Sequence, residues 1–226
     1  MKITEGKILV SKSIGSVSSI LTEGSDTKFL ATLAHGAGAG MKHSFMEAIA
    51  NALALHSVST LRFNFPFSEA GKNRPDPAPI AEHTIGAALS YAAEINPGVP
   101  LLASGKSFGG RMSSHYLSKN TIDGVKGIIF YGFPLHAPGQ PGVNRADHLA
   151  SINVPMLFLQ GTKDTLARLP LIQEVCAKLP TATLATFEGA DHSFKAGKRD
   201  VISELVVAAI DWLENTIKTN HSPGRR

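Results

Sequence analysis

The chain has 226 residues, a formal net charge of +4, 43% hydrophobic and 18% charged residues, and one cysteine, Cys176. That balance excludes a disordered or membrane-embedded chain and a disulfide framework, and the scattered Lys and Arg give no nucleic-acid-binding face. One domain over residues 1–219 is expected, in the cytoplasm, because Met1 to Lys12 lacks a secretory apolar core and a lone cysteine suits a reducing compartment.

In chain order, Lys7 to Val10 and Val17 to Leu21 suit antiparallel edge strands. Apolar β-like runs then follow at Phe29 to Ala34, Ser59 to Phe63, Val99 to Ala103, Gly127 to Tyr131, Pro155 to Leu159 and Thr183 to Phe187. Between or after them, Ser44 to His56, Ile80 to Ile95, Phe108 to Ser118, Pro170 to Leu179 and Asp200 to Ile217 have helical length and periodic apolar faces. Such alternation predicts a mostly parallel central sheet with right-handed crossovers and helices on both faces. Asn64 to Pro79 is rich in proline and reads as a rigid surface loop; Gly132 to His148 is too short to form a lid domain. Residues 220–226 read as a disordered basic tail, and its Asn220-His221-Ser222 fits a glycosylation pattern that a cytoplasmic protein would not use.

Gly105-Lys106-Ser107-Phe108-Gly109 follows the run Val99 to Ala103 and forms a G-x-S-x-G pattern, in which a strand delivers a serine into a sharp turn. A serine hydroxyl is a weak nucleophile at neutral pH, so it needs a histidine base and a carboxylate to orient that base. Asp164 lies in the turn after Pro155 to Leu159, and His192 in the segment after Thr183 to Phe187. The order Ser, Asp, His is that of α/β-hydrolases. Asp191 competes with Asp164 for the orienting role, but adjacent residues direct their side chains apart, which favours Asp164. An oxyanion hole is expected from the N–H groups of Phe108 and of Ala37, in His35-Gly36-Ala37-Gly38-Ala39-Gly40.

His35 is expected to orient that loop beside the substrate. Phe65, Phe67, Phe133 and Leu135 suit an apolar acyl pocket and equally suit ordinary core packing. Arg111 suits an anionic substrate group or, better, a buried ion pair, and Lys106 is expected to be exposed. His43, His83, His115 and His136 lack ligand-like spacing, so neither metal nor cofactor is expected. Gly105-Lys106-Ser107 is not a phosphate-binding loop, because Pro100 stands where that motif needs glycine, and the loop at Gly36 lacks dinucleotide-binding spacing.

With these motifs the chain resembles the small lidless α/β-hydrolases related to dienelactone hydrolase. The segments LAHGAGAG, LRFNFPF, GKSFGGRMSS, QGTKD and GADHSF resemble the predicted-hydrolase branch that also includes a subunit of the NSL histone-acetyltransferase complex. The resemblance implies the α/β-hydrolase fold without a lid domain. Dienelactone hydrolase uses a cysteine nucleophile where this chain has Ser107, so its substrate does not carry over. The expected activity is cleavage of a small-molecule ester or thioester through an acyl-enzyme; the alternative is a catalytically idle interaction protein of the same fold, and acyl transfer to another acceptor would use the same residues.

Overall fold

The computed structural model describes residues 1–217. The predicted tail at 220–226 lies outside the described residues. Among the described residues eight strands form one sheet: β1 (Lys2–Ser11), β2 (Gly15–Glu23), β3 (Phe29–Ala34), β4 (Val58–Phe63), β5 (Leu101–Lys106), β6 (Val125–Tyr131), β7 (Met156–Gly161) and β8 (Ala182–Phe187). Their spatial order is β1-β2-β4-β3-β5-β6-β7-β8. β1 and β2 pair antiparallel and β2 meets β4 antiparallel, while all pairs from β4 to β8 are parallel. β1 extends well beyond its predicted range; its exposed first residues, Lys2 to Glu5, hold a single apolar side chain, Ile3, and are held by the ladder to β2.

Among the described residues there are also six α-helices: α1 (Ser44–Ala54), α2 (Pro66–Glu69), α3 (Ala78–Ile95), α4 (Phe108–Leu117), α5 (Leu169–Ala177) and α6 (Val201–Thr216). A 3-10 helix spans Asn144–Ser151, inside and just beyond the segment read as irregular. The expected loop Asn64 to Pro79 also holds structure. Pro66 opens α2, where its missing N–H costs nothing, and α3 begins at Ala78.

All six residues of β3 and of β4 are buried, as strands covered on both faces require. Alternate residues point to opposite faces, so the core is divided by the sheet. Leu30, Ala103, Phe130 and Phe158 pack with α3, α4 and α5, whereas Leu33, Leu102, Ile129 and Leu157 pack with α1 and α6. The chain leaves β3 toward β4 on one side and returns past it to β5 on the other. With crossovers of one hand, this reversal sends α1 and α3 to opposite faces. It also opens a crevice beyond the carboxyl ends of β3 and β5, where open α/β sheets place their ligand chemistry.

Candidate active site

Ser107 sits in that crevice, between the last residue of β5 and the first of α4. Its backbone lies at φ 50° and ψ −112°, a region that a side chain normally avoids. Such a conformation costs about 1 to 3 kcal/mol and persists only where packing imposes it. Here the imposition is steric: a Cβ on Gly105 would overlap the backbone of Gly109 and Gly110, and one on Gly109 would overlap the carbonyl oxygens of Ala34 and His35. β5, α4 and the end of β3 therefore approach more closely than any other residue permits at these two positions.

The Ser107 Oγ lies 2.8 Å from His192 Nε2, and His192 Nδ1 lies 2.7 Å from Asp164 Oδ2. Asp164 is held from several sides. Leu166 N–H donates to its Oδ1 at 2.7 Å, and Gln160 Nε2 donates to its Oδ2 at 2.5 Å. The orientation of the Gln160 amide is fixed in turn, because its Oε1 accepts the Phe133 N–H at 3.1 Å. An ionised carboxylate only accepts, so the proton of a neutral His192 ring belongs on Nδ1 and the lone pair of Nε2 faces Ser107. The Asp164 side chain has 0% exposure and that of His192 22%, which leaves a buried carboxylate beside an accessible imidazole. Asp191 turns into its own loop, where Oδ1 accepts the N–H groups of Ser193 and Lys195. Gln160 escaped the sequence reading; its only signal is a polar side chain near the end of the otherwise apolar strand Met156 to Gly161.

The predicted oxyanion loop lies against Ser107: a Cβ on Gly36 would come within 3.7 Å of Ser107 Cβ. Neither Phe108 N–H nor Ala37 N–H donates to a protein acceptor among the described residues. Phe108 N–H opens α4, where the helix dipole adds positive character. His35 braces this loop from beneath. Its Nε2 accepts the Phe65 N–H at 3.1 Å, which places the ring proton on Nδ1, 2.8 Å from Gly36 O. Burial pushes its pKa down from 6.5 to about 4, opposed by the Gly36 hydrogen bond, so the ring stays neutral.

The five residues expected along a substrate pocket occupy the interior. His35, Phe65 and Leu135 are 0% exposed, Phe133 1% and Phe67 2%. Phe65 and Phe67 stack at 6.0 Å between centroids, and both meet the Phe108 ring edge-on. These rings form a floor under the elbow rather than an open wall; packing of the flanking segments, which composition does not encode, decides between the two. Arg111 also departs from expectation. No carboxylate pairs with it among the described residues, its Nε is buried without a partner, and burial, with Arg145 nearby, lowers its pKa. Lys106, expected to be exposed, is part-buried with its ammonium turned inward.

The segment after β6 is tied to the Asp164 turn. His136 N–H donates to Leu166 O at 3.0 Å, and its Nε2 accepts the Arg168 N–H at 3.2 Å. Among the described residues no group of three or more His, Cys, Asp or Glu is placed to hold a metal ion, and no helix is long and apolar enough to cross a membrane.

A strand, a serine in a strained elbow and an acid and a histidine after the next strands define an α/β-hydrolase fold. Residues 27–213 match the family described as alpha/beta hydrolase domain, and the chain belongs to that family. Among solved structures it is similar to dienelactone hydrolase from Anabaena variabilis, at 17% identity over 96% of this chain and 100% of that one, with a TM-score of 0.73. It is similar also to a lidless serine hydrolase from Xanthomonas campestris, at 16% identity over 96% and 94% of the two chains and a TM-score of 0.71. Est1E from Butyrivibrio proteoclasticus matches at 15% identity over 94% and 98%, with a TM-score of 0.73.

Proposed function

We propose that this α/β-hydrolase is a serine hydrolase that cleaves a small-molecule ester or thioester. The observation that carries the reading is the unbroken run of hydrogen bonds from Gln160 through Asp164 and His192 to Ser107. In this mechanism Ser107 Oγ attacks the acyl carbonyl carbon as His192 Nε2 takes its proton. Asp164 holds the ring in the required tautomer and stabilises the imidazolium. The carbonyl oxygen, now negative, is held by the N–H groups of Phe108 and Ala37. His192 then protonates the departing oxygen or sulfur, leaving an acyl group on Ser107. Water, deprotonated by the same Nε2, attacks the acyl-enzyme; the acyl–Oγ bond then breaks, releasing the acid, as His192 returns that proton to Ser107 Oγ.

The segments that resemble the branch including the NSL-complex subunit all fall at this site or its supports, which favours membership of that branch: His35 and Ala37, Phe65 and Phe67, the elbow, Gln160 with Asp164, and His192. Labelling with a fluorophosphonate probe tests the mechanism. The wild type should be modified at Ser107 and Ser107→Ala should not; equal labelling of the two, or of neither, overturns it. Nitrophenyl esters and acyl thioesters of graded length then distinguish ester from thioester cleavage and size the acyl group.

A further inference from the structure

We propose that Lys106 is a positioning residue, which grips the main chain of His192 and so fixes the imidazole between Ser107 and Asp164. The inference rests on the hydrolase reading above. Lys106 Nζ donates to His192 O at 2.5 Å, a contact between residues on β5 and on the loop after β8. The same ammonium lies 5.2 Å from the centroid of Phe194 and 5.8 Å from that of Phe45. Those two rings stack at 5.8 Å with an interplanar angle of 12°, one from α1 and the other from the His192 loop. Aromatic faces attract a cation most when it has lost part of its water, which is the situation here.

The residue therefore connects the nucleophile's own strand to the base's loop, one position before Ser107. A Cβ on Gly132 would stand 3.2 Å from Lys106 Nζ and 3.5 Å from His192 Cε1, so the end of β6 packs closely against both the ammonium and the imidazole. Phe194 itself has φ 60°, a conformation disfavoured for a bulky side chain, and the contact with Lys106 is one of the interactions that hold it.

The charged groups that face the ammonium are the carboxylates of Asp164, after β7, and Asp191, in the His192 loop. His192 itself is the titratable neighbour from that loop, Tyr131 is the register partner from β6, and α1 presents the Phe45 ring. Burial pushes the Lys106 pKa down from 10.5 to about 8, against the opposing pull of the two carboxylates. As pH rises through that value the charge-assisted grip on the His192 carbonyl weakens, and turnover should fall with it.

Lys106→Met keeps the apolar stem and removes the donor. Its fold is checked by thermal melting, and its steady-state kinetics are followed against pH on the nitrophenyl ester that the wild type turns over best. The expected result is a kcat lower by about 10- to 100-fold, because the base is no longer held in place, with KM within about threefold. The basic limb near pH 8 should disappear in the variant. A folded Lys106→Met with kcat within about twofold of wild type and an unchanged limb overturns the proposal.

If that variant does not fold, wild-type enzyme carrying ¹³C-labelled lysine decides. The Lys106 side-chain resonance and kcat must titrate together, and a limb at a different pH overturns the assignment. A wild type that resists the fluorophosphonate probe and turns over no ester fails the hydrolase reading and this inference with it. One that labels at Ser107 while Lys106→Met matches it fails this inference alone.

Discussion

Gln160→Met separates the orienting of Asp164 from the presence of its charge. Methionine has nearly the length of glutamine but neither donates to Asp164 Oδ2 nor accepts from Phe133 N–H, and the site is fully buried, with Gln160 at 0% exposure. Loss of a hydrogen bond to a charged group costs about 1.5 to 3 kcal/mol, and leaving the Phe133 N–H unsatisfied costs about 1 to 3 kcal/mol more. The variant should thus lose about 2.5 to 6 kcal/mol of stability, a large share of the ~5 to 15 kcal/mol typical of a folded domain. Its carboxylate retains Leu166 N–H and His192, so the base remains present but less firmly aimed. The rate of probe labelling at Ser107, measured well below the melting temperature, should fall by about 10- to 100-fold. Asp164→Asn, which removes the charge and the tautomer control, should fall by about 10⁴-fold. Urea unfolding gives the stability and the labelling time course gives the rate. If Gln160→Met labels within twofold of wild type and loses less than about 1 kcal/mol, the buried amide is not what aims the carboxylate.

Phe65→Ala should cost about 3 to 5 kcal/mol in urea unfolding, because the ring lies in the core against His35, Phe63, Phe67 and Phe108; a near-neutral change would return this ring to the list of pocket walls. Gly109→Ala forces a methyl into the carbonyl oxygens of Ala34 and His35, so its cost should reach the upper end of the about 1 to 3 kcal/mol of overpacking, with Ser107 labelling lost; a normal melting temperature would contradict the steric account of the elbow. His35 should make the protein acid-sensitive. Its pKa is depressed from 6.5 to about 4, so the unfolded chain binds the extra proton first and stability falls as pH drops across that range, by about 3 kcal/mol at 1.36 kcal/mol per pH unit. Urea midpoints from pH 7 to 4 read this loss, and a flat profile would refute it.

The parts of the site that the sequence discloses are those whose signal is local. Gly105 and Gly109 mark a backbone too crowded for side chains, and the runs before Ser107, Asp164 and His192 mark strands whose ends converge in any sheet of this winding. The supports are set by neighbours far away in the chain and leave no such trace. A lysine is exposed by default, and nothing near Lys106 announces the rings of Phe45 and Phe194 or the carbonyl of His192. Phe65, Phe67 and Phe133 are equally ambiguous, because a floor and a pocket wall have the same composition. The first half of β1 lacked an apolar pattern for a similar reason: pairing with β2, rather than burial, makes it a strand.

Strain in this site is concentrated where it serves the hydrogen bonds. Ser107 at φ 50° lies at the turn from β5 into α4, and Phe194 at φ 60° lies in the turn that carries His192, where the Phe194 N–H donates to Asp191 O at 3.0 Å. Each distortion would relax if its surroundings allowed. The first is enforced by backbone packed against Gly105 and Gly109, with no side chain that could give way. The second is enforced by softer contacts, the Asp191 side chain accepting Ser193 and Lys195 N–H groups and the Phe194 ring stacked on Phe45 beside the Lys106 ammonium. Ser107 is consequently held by sterics and His192 by polar and aromatic contacts. Conditions that weaken electrostatics should therefore displace His192 long before they displace Ser107, which makes the His192 loop the element through which a rise in pH acts on the site, as His35 is the one through which a fall acts.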